Sequence, residues 1–468
     1  MSEDLNTTEK AYTLSELSLT SSNGKKVDIF PQLVELSIFE DIYSPTLSGK
    51  ITMADSVDLF AEMPISGFEF LTVTLSKPGN WSFFVLEKTF RIYKMEMEEI
   101  NQATASAQAY TLYFCSEENL VSASKKISKS YKGKKISDMI KDIVENYLET
   151  SENKFFPENI EQTYGVFDIV VPYMSPLNAI TWLSNRAVSS GSQTSSANYL
   201  FYEDSFGYNF RSIEKLFQKE TKAKYRFKPK NVSTAPDFQN TVEEDVYTVI
   251  RYDFINIFDV LKNINNGMFS SQLFAFDILR QKVTKQEFNY NTLFGSTKHI
   301  EGQGTTNRPA PFHNEYKDRT GKSITENYLS VLKMYPTTRE HDTDSSITQY
   351  QPGIKPNLVE NWLLSRISQL SQLNYFKLKL VVPGNTYLSV GNIIEFDVPL
   401  ATLRSPGEPA SNPYHSGRFL ITAIRHKIDI KSYEMIIEAT RDCVSYNYQN
   451  ATRNDQDIET QSSSFGLG

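Results

Sequence analysis

Apolar and polar residues alternate with a period of two over much of the first 120 positions. In LVELSIFEDI, Leu36, Ile38 and Phe39 carry the apolar bulk, and Glu35, Glu40 and Asp41 carry the charge. GKITMADS and FEFLTVTLS follow, parted by the turn-rich MPISG. FRIYKMEMEEI then sets Tyr93, Met95 and Met97 against Lys94, Glu96 and Glu98, and AYTLYFCS closes the set. Alternation of this kind marks half-buried strands. Short strands so closely spaced predict a small antiparallel barrel or sandwich over 26–120, with 1–25 as a flexible lead-in.

After Leu120 the period changes. Ile136, Met139, Ile140, Ile143, Val144, Tyr147 and Leu148 fall on one face of an amphipathic helix, which Ser137-Asp138 can start. A second helix begins at Ser175-Pro176, a favoured cap followed by a residue suited to the first turn. It carries Leu177, Ile180, Leu183 and Ala187 inward. NYLFYEDSFGYNFRSIEKL reads as a hairpin with Gly207 in its turn. Residues 121–240 therefore form an α+β unit. Strand patterning returns from Val246. Residues 292–355 are rich in Gly, Pro, Thr, Asn and Asp with little periodicity, and a loop of that length is an interaction element or partly disordered. Pro356-Asn357 opens a third helix bearing Leu358, Trp362, Leu363, Ile367 and Leu370. FKLKLVVPGNTYLSVGNIIEF, from Phe376 to Phe396, reads as strand, turn, strand, short turn, strand, and GRFLITAIRHKID and SYEMIIEATRD follow. From Asn447 the composition, rich in Gln, Ser, Asn and Asp, predicts disorder over 447–468.

The pieces recur. FRIYKMEMEEI…AYTLYFCSEEN and FLITAIRHKID…SYEMIIEATRD share a layout, and FEFLTVTL occupies the slot that GNIIEFDV fills later. LVELSIFEDI…SGKITMADS is matched in the same way with VIRYDFINIF…NGMFSSQLFAFDI. Internal repeats outrank most other signals. The expected fold class is α+β, mainly β. Two related antiparallel β-barrels occupy 26–120 and, for the second, 241–291 with 374–446. The α+β domain lies at 121–240, and an insertion at 292–373 interrupts the second barrel.

Composition narrows the function classes. The chain has 468 residues, enough for about three domains. A hydrophobic share of 40% and an aromatic share of 13% allow substantial cores. A formal charge of −8 is too mild to make the whole protein a nucleic-acid or membrane-surface binder. No apolar run reaches the roughly 18 residues a bilayer needs, so no stable membrane insertion is expected. The start, MSEDLNTTEK, has no basic and apolar regions of a secretory signal. Two cysteines, Cys115 and Cys443, make no disulfide framework and fit synthesis in a reducing cytoplasm.

The chemistry is sparse. TGKS at Thr320–Ser323 resembles the end of a phosphate-binding loop, but Tyr316 stands where that loop needs glycine, and the stretch reads as a solvated turn. HExxH, GxSxG and paired-cysteine zinc spacings do not occur. His299, His313, His341, His415 and His426 are scattered. HDTD at His341–Asp344 has too few oxygen ligands and no glycine for a calcium loop. His426 is in phase with Ile424, Ile428 and Ile430 and reads as a hydrogen-bonded core histidine. Paired carboxylates cannot be recognised by spacing. Catalytic, cofactor-binding and metal-ligating residues are accordingly expected to be none, no cofactor is called for, and the chain is expected not to be an enzyme. Six lysines lie in 121–135, and Lys222, Lys224, Arg226, Lys228 and Lys230 line one side of an extended segment. Docking on an acidic protein surface, or guarding a strand edge, is favoured there over binding DNA phosphate.

Three stretches, in order, carry a resemblance. VELSIFEDIYSPTLSGKITMADS…PISGFEFLTVTL, ITWLSNRAVSSG…NYLFYEDSFGYNFRSI and VVPGNTYLSVGNIIEF…GRFLITAIRHKI resemble, from about residue 27 to 445, the larger baseplate hub subunit of contractile-tailed phages of the T-even type. The hubs of type VI secretion spikes and extracellular injection particles share that architecture. The resemblance implies a virion protein made in the host cytoplasm and placed in the tail baseplate. It implies a homotrimer in which two tail-tube-like barrels per chain build a pseudo-six-fold ring joining a six-fold tail tube to a three-fold central spike. The α+β domains form the cup, and the bore passes DNA or effector. Tube and spike proteins are the implied partners, with tape-measure and baseplate-wedge proteins as further neighbours. The family offers no catalytic residues, and the spike and lysozyme-like parts of some relatives are expected on other chains. The alternatives are a receptor-binding tail protein and, behind it, a cell-wall hydrolase.

Further expectations follow from the repeat. Tyr93, Met95 and Met97 in one barrel, and Ile424, Ile428 and Ile430 in the other, should face their cores. Barrel edges should pair with neighbouring barrels, Cys115 and Cys443 should be reduced, and the bore should be neutral to acidic.

Overall fold

A computed structural model describes residues 13–55, 63, 65–76, 86–98, 108–148, 154–190, 198–227, 247–277, 281–290, 294, 297–301, 308–309, 319–321, 331–337, 359, 362–374, 376–398, 412 and 414–444. Strands β1 (Thr13–Thr20), β2 (Lys26–Asp28), β3 (Leu33–Asp41), β4 (Ser48–Asp55), β5 (Phe70–Ser76), β6 (Leu86–Glu98) and β7 (Gln108–Cys115) open the chain. The middle section holds α1 (Glu117–Ser124), β8 (Ile127–Lys134), α2 (Ile136–Tyr147), β9 (Phe155–Ile160), β10 (Phe167–Met174), α3 (Pro176–Ser184), β11 (Tyr199–Asp204), β12 (Gly207–Ser212), α4 (Ile213–Phe217) and β13 (Thr221–Arg226). Then come β14 (Arg251–Asn256), α5 (Val260–Asn265), β15 (Ser270–Asp277), β16 (Lys282–Asn289), β17 (Arg308–Pro309), β18 (Leu332–Thr337) and α6 (Leu363–Leu373). The chain closes with β19 (Phe376–Pro383), β20 (Ile393–Asp397), β21 (Gly417–Ile428), β22 (Tyr433–Arg441) and β23 (Cys443–Val444).

The fold is α+β and mainly β, and its centre is one sheet of thirteen strands. Five of them lie in the order β3-β4-β7-β6-β5 and five more in the order β14-β19-β22-β21-β20. The two orders are the same topology, strand for strand. A bulge falls at one position in both units, between Ile92 and Lys94 of β6 and between Ile421 and Ala423 of β21. The expected edge pairing between units occurs inside one chain, where β21 runs antiparallel to β3 from Ala423–Asp41 to Ile428–Leu36. Among the described residues the outer strands do not return to close either unit. β5 is extended by β1 and β20 by β13. One apolar core runs beneath both units, including Leu36, Ile51, Leu112, Ile424 and Ile437. The middle section has its own, built from the expected faces of α2 and α3 against Tyr199, Phe201, Tyr208 and Phe210.

Several expectations are corrected. Thr13–Thr20 is a strand on β5, with Leu17 and Leu19 buried, rather than a flexible lead-in. The counterpart of β4 is β19, not the stretch at β15, which joins β16 and β18 in a separate three-stranded sheet. The middle of the Phe376–Phe396 segment is a turn, not a strand, so that segment holds two strands. Tyr93 and Met97 are 48% and 59% exposed and only Met95 is partly buried. The bulge after Ile92 rotates Tyr93 outward, and Met97 overhangs the sheet beyond the core. Ile424 and Ile428 are buried, whereas Ile430 lies past the strand in a turn and is 57% exposed. Outside the described residues lie His313, His341–Asp344, Ser323, Lys228, Lys230, the start of the third helix at 356–358 and the 447–468 tail.

Candidate functional site

The element that ties the molecule together is the β11–β12 hairpin. All six residues of β11 are buried because both of its faces are covered. Leu200 and Tyr202 enter the core under the two units, while Tyr199 and Phe201 enter the core of the middle section. Its turn needs Gly207, whose φ is +145° and whose Cβ would collide with the Lys154 carbonyl. The carbonyl accepts the Tyr208 N–H at 2.8 Å.

From that turn the hairpin addresses both units with acidic and hydroxyl groups. Glu203 reaches the first. Its Oε2 accepts the Ser116 hydroxyl at 2.6 Å and the Leu47 N–H at 3.1 Å. Its Oε1 lies 3.1 Å from Lys154 Nζ, which also sits 3.0 Å from Glu118. Both carboxylates are fully buried, and burial together with Glu203 raises the Glu118 pKa against the pull of Lys154. Ser205 reaches the place where the units meet and donates to Glu40 of β3. Glu40 also accepts the Val390 N–H at 3.1 Å, and its Oε1 lies 3.3 Å from His426 Nε2 of β21. His426 Nδ1 is 2.8 Å from the Tyr433 hydroxyl. Beside this group, Asp204 accepts from the N–H groups of Phe206 and Gly207 and from the Asn209 amide. Burial, reinforced by Glu40, pushes its carboxyl up to about 6. Four segments distant in sequence therefore meet in one buried, hydrogen-bonded seam, and its chemistry is that of a fixed joint.

His426 lies where its period places it. Glu40 does not: the charge pattern sets it with Glu35 and Asp41, yet it is 2% exposed. The signal was present in the phase of the strand, since Glu40 shares the parity of Leu36 and Ile38 while Phe39 breaks it. His299 meets Asp442 and Cys443, which no spacing announces. Its Nδ1 is 2.7 Å from Asp442 and its Nε2 is 2.7 Å from the Phe294 carbonyl oxygen. Burial works to lower the His299 pKa, but the Asp442 carboxylate and the Phe294 carbonyl oxygen together outweigh it and raise it above the ordinary histidine value. These three residues have a metal-ligand composition, but the ring nitrogens are already committed to oxygen acceptors. The adjoining cavity of about 10 Å³ has room for roughly one water, not a substrate. Cys115 and Cys443 are buried free thiols. In β13, Lys222, Lys224 and Arg226 point outward at period two, and Lys224 pairs with Glu395 at 2.8 Å.

No protein-family model and no curated protein matches the chain. Solved structures do. A tail protein from Neisseria meningitidis MC58 is similar at 12% identity and a TM-score of 0.49, over 92% of this chain and 97% of its own. The 43 kDa tail protein of prophage MuSo2 from Shewanella oneidensis is similar at 9% identity and a TM-score of 0.49, over 91% and 98%. An E. coli type VI secretion component is similar at 9% identity and a TM-score of 0.39, over 93% and 78%.

Proposed function

We propose that the chain is a structural subunit of a tail or baseplate hub, three copies of which set six like units in a ring between a six-fold tube and a three-fold spike. The observation that supports this reading is the duplication: one chain supplies two units of identical topology, bulge included, within one sheet. Three copies then supply six near-equivalent units, and closed symmetry is the usual outcome for a soluble homo-oligomer. The buried seam holds the two units of a chain at one fixed angle, which a rigid ring requires. The middle section, with its own core, is the cup for the spike. The bore carries DNA or effector and is neutral to acidic, because each lysine–phosphate contact would add salt-sensitive grip. The role is structural rather than catalytic, and the protein belongs to the virion tail.

The mass of the purified protein in solution tests this. A multiple of three chains is expected, and any other order overturns the ring. A cell-wall zymogram is expected to stay blank; a lytic band would make the hydrolase reading the better one.

A further inference from the structure

The seam between the two units has an unmade twin. β21 gives its first residues, Gly417–Leu420, to β20 and its later ones, Ala423–Ile428, to β3. β6 is the counterpart of β21. Its residues Leu86–Arg91 pair with β5, but from Lys94 to Glu98 it bonds only β7 among the described residues. β14 is the counterpart of β3. Among the described residues it pairs with β19 on one side, and its other edge is an end of the thirteen-stranded sheet. Each chain thus holds one completed seam and both halves of a second, and six strands of the sheet stand between those halves.

We propose that β6 of one copy pairs antiparallel with β14 of a second copy, repeating between chains the contact that β21 makes with β3 within one. The inference rests on the ring proposed above only for closure: a head-to-tail contact of this kind closes into a ring or runs on as a filament. The shared topology sets the register. Through the bulges and the pairing with β7 and β22, Glu96 corresponds to Arg425 and Met97 to His426. Through β4 and β19, Arg251 corresponds to Glu35, Phe254 to Ile38 and Asn256 to Phe39. Because Arg425 stands opposite Phe39 and His426 opposite Ile38, Glu96 should stand opposite Asn256 and Met97 opposite Phe254.

Charge agrees with that register. In the made seam Arg425 binds Glu35 at 2.7 Å. At the twin positions the signs are exchanged, with Glu96 in place of the arginine and an exposed Arg251 in place of the glutamate. Glu96 is held at present by Lys94 and the Tyr113 hydroxyl, 2.7 Å away, on the same outward face. Apolar surface agrees as well. Met97 is 59% exposed where its twin His426 is 1% exposed, and Ile250 and Ile255 on the β14 edge stay half exposed. Pairing covers this surface and satisfies two rows of backbone groups that otherwise invite aggregation.

Cysteine cross-linking tests the register. A Met97→Cys, Phe254→Cys variant, oxidised, is expected to give a ladder of linked chains on a non-reducing gel that collapses on reduction; Cys115 and Cys443 are buried and stay out of the reaction. Charge reversal tests the chemistry. Glu96→Arg and Arg251→Glu are each expected to shift the solution mass towards monomer with an unchanged circular-dichroism spectrum, and the two together to restore assembly. A mass that is a multiple of three, with no linked chains and no response to either reversal, overturns the pairing and leaves the hub reading standing. Linked chains in an assembly of another order uphold the pairing and overturn the three-copy ring. A monomer at all concentrations overturns both.

Discussion

The two units share every strand and differ in what fills them. On one rung of the first, Gly49 of β4 stands opposite Phe114 of β7; on the same rung of the second, Leu378 of β19 stands opposite Ala439 of β22. Large and small have changed places across the sheet while the rung stays filled, and close-packed interiors demand the filling rather than the residue. Lys50 and Lys379 occupy one position next to that rung. The links differ most. β3 reaches β4 through residues 42–47, whereas β14 reaches β19 only after 257–375. An excursion of that size is compatible with one topology because the entropy of closing a loop grows only with the logarithm of its length. What the pair teaches is that the hydrogen-bond order and the bulge define the unit, and that residue identity is free wherever volume and polarity balance locally.

The largest expected effect separates interior from overhang. Ile428→Glu puts an unpaired charge where the side chain has no exposure, at a cost of several kcal/mol. Because both units share one core, a single unfolding transition should move to much lower denaturant. Met97→Glu, on the counterpart strand but exposed, should leave the midpoint of the unassembled chain nearly unchanged. Equal losses in urea titrations of the two variants would show that Met97 belongs to the interior rather than to an overhang.

A smaller effect tests the filled rung. Gly49→Leu drives a side chain into the Phe114 ring and towards the Ser37 carbonyl oxygen, and Phe114→Ala alone should cost about 3–5 kcal/mol. The double variant rebuilds the Leu–Ala rung of the other unit. It should be less destabilised than the sum of the singles by about 1–3 kcal/mol, with the Ser37 carbonyl keeping the rescue partial. Strict additivity would mean that the rungs are not equivalent.

The smallest effect concerns the seam. Asp204 has its folded pKa raised to about 6, above its unfolded value of about 3.9. The folded state therefore binds more protons between those values, and stability falls as pH rises through that window and levels off above it. Asp204→Asn should flatten that part of the stability profile. A profile that keeps its slope would assign it to a group other than Asp204.

Much of the fold was legible because one period of two ran through both units. The α2 face, the Ser175-Pro176 helix start, the Gly207 hairpin and four of the five strand correspondences in the repeat could be read from local pattern. The failures have local causes too. A bulge resets parity without changing composition, so Tyr93 looked buried, and Met97 keeps the inward parity of Met95 but lies past the edge of the core. The β15 stretch has the alternation of a unit strand, and only its pairing with β16 and β18 removes it from the repeat. The seam was the least legible part. Glu40, Ser205 and His426 meet across long sequence separations, and a buried carboxylate is indistinguishable in sequence from a solvated one unless the parity of its strand is followed.

The antiparallel join of β21 to β3 also has a mechanical meaning. Its rungs from Ala423–Asp41 to Ile428–Leu36 lie side by side, so a pull along the strands loads all of them together in shear. A pull across the strands opens them one after another, as a zipper does. The Ser205–Glu40 bond and the Glu40–His426 contact sit at the Ile424 and His426 end of this row and brace the end from which such peeling would start. The joint should therefore be stiff to tension along its strands and yield to bending, failing last where the hairpin pins it.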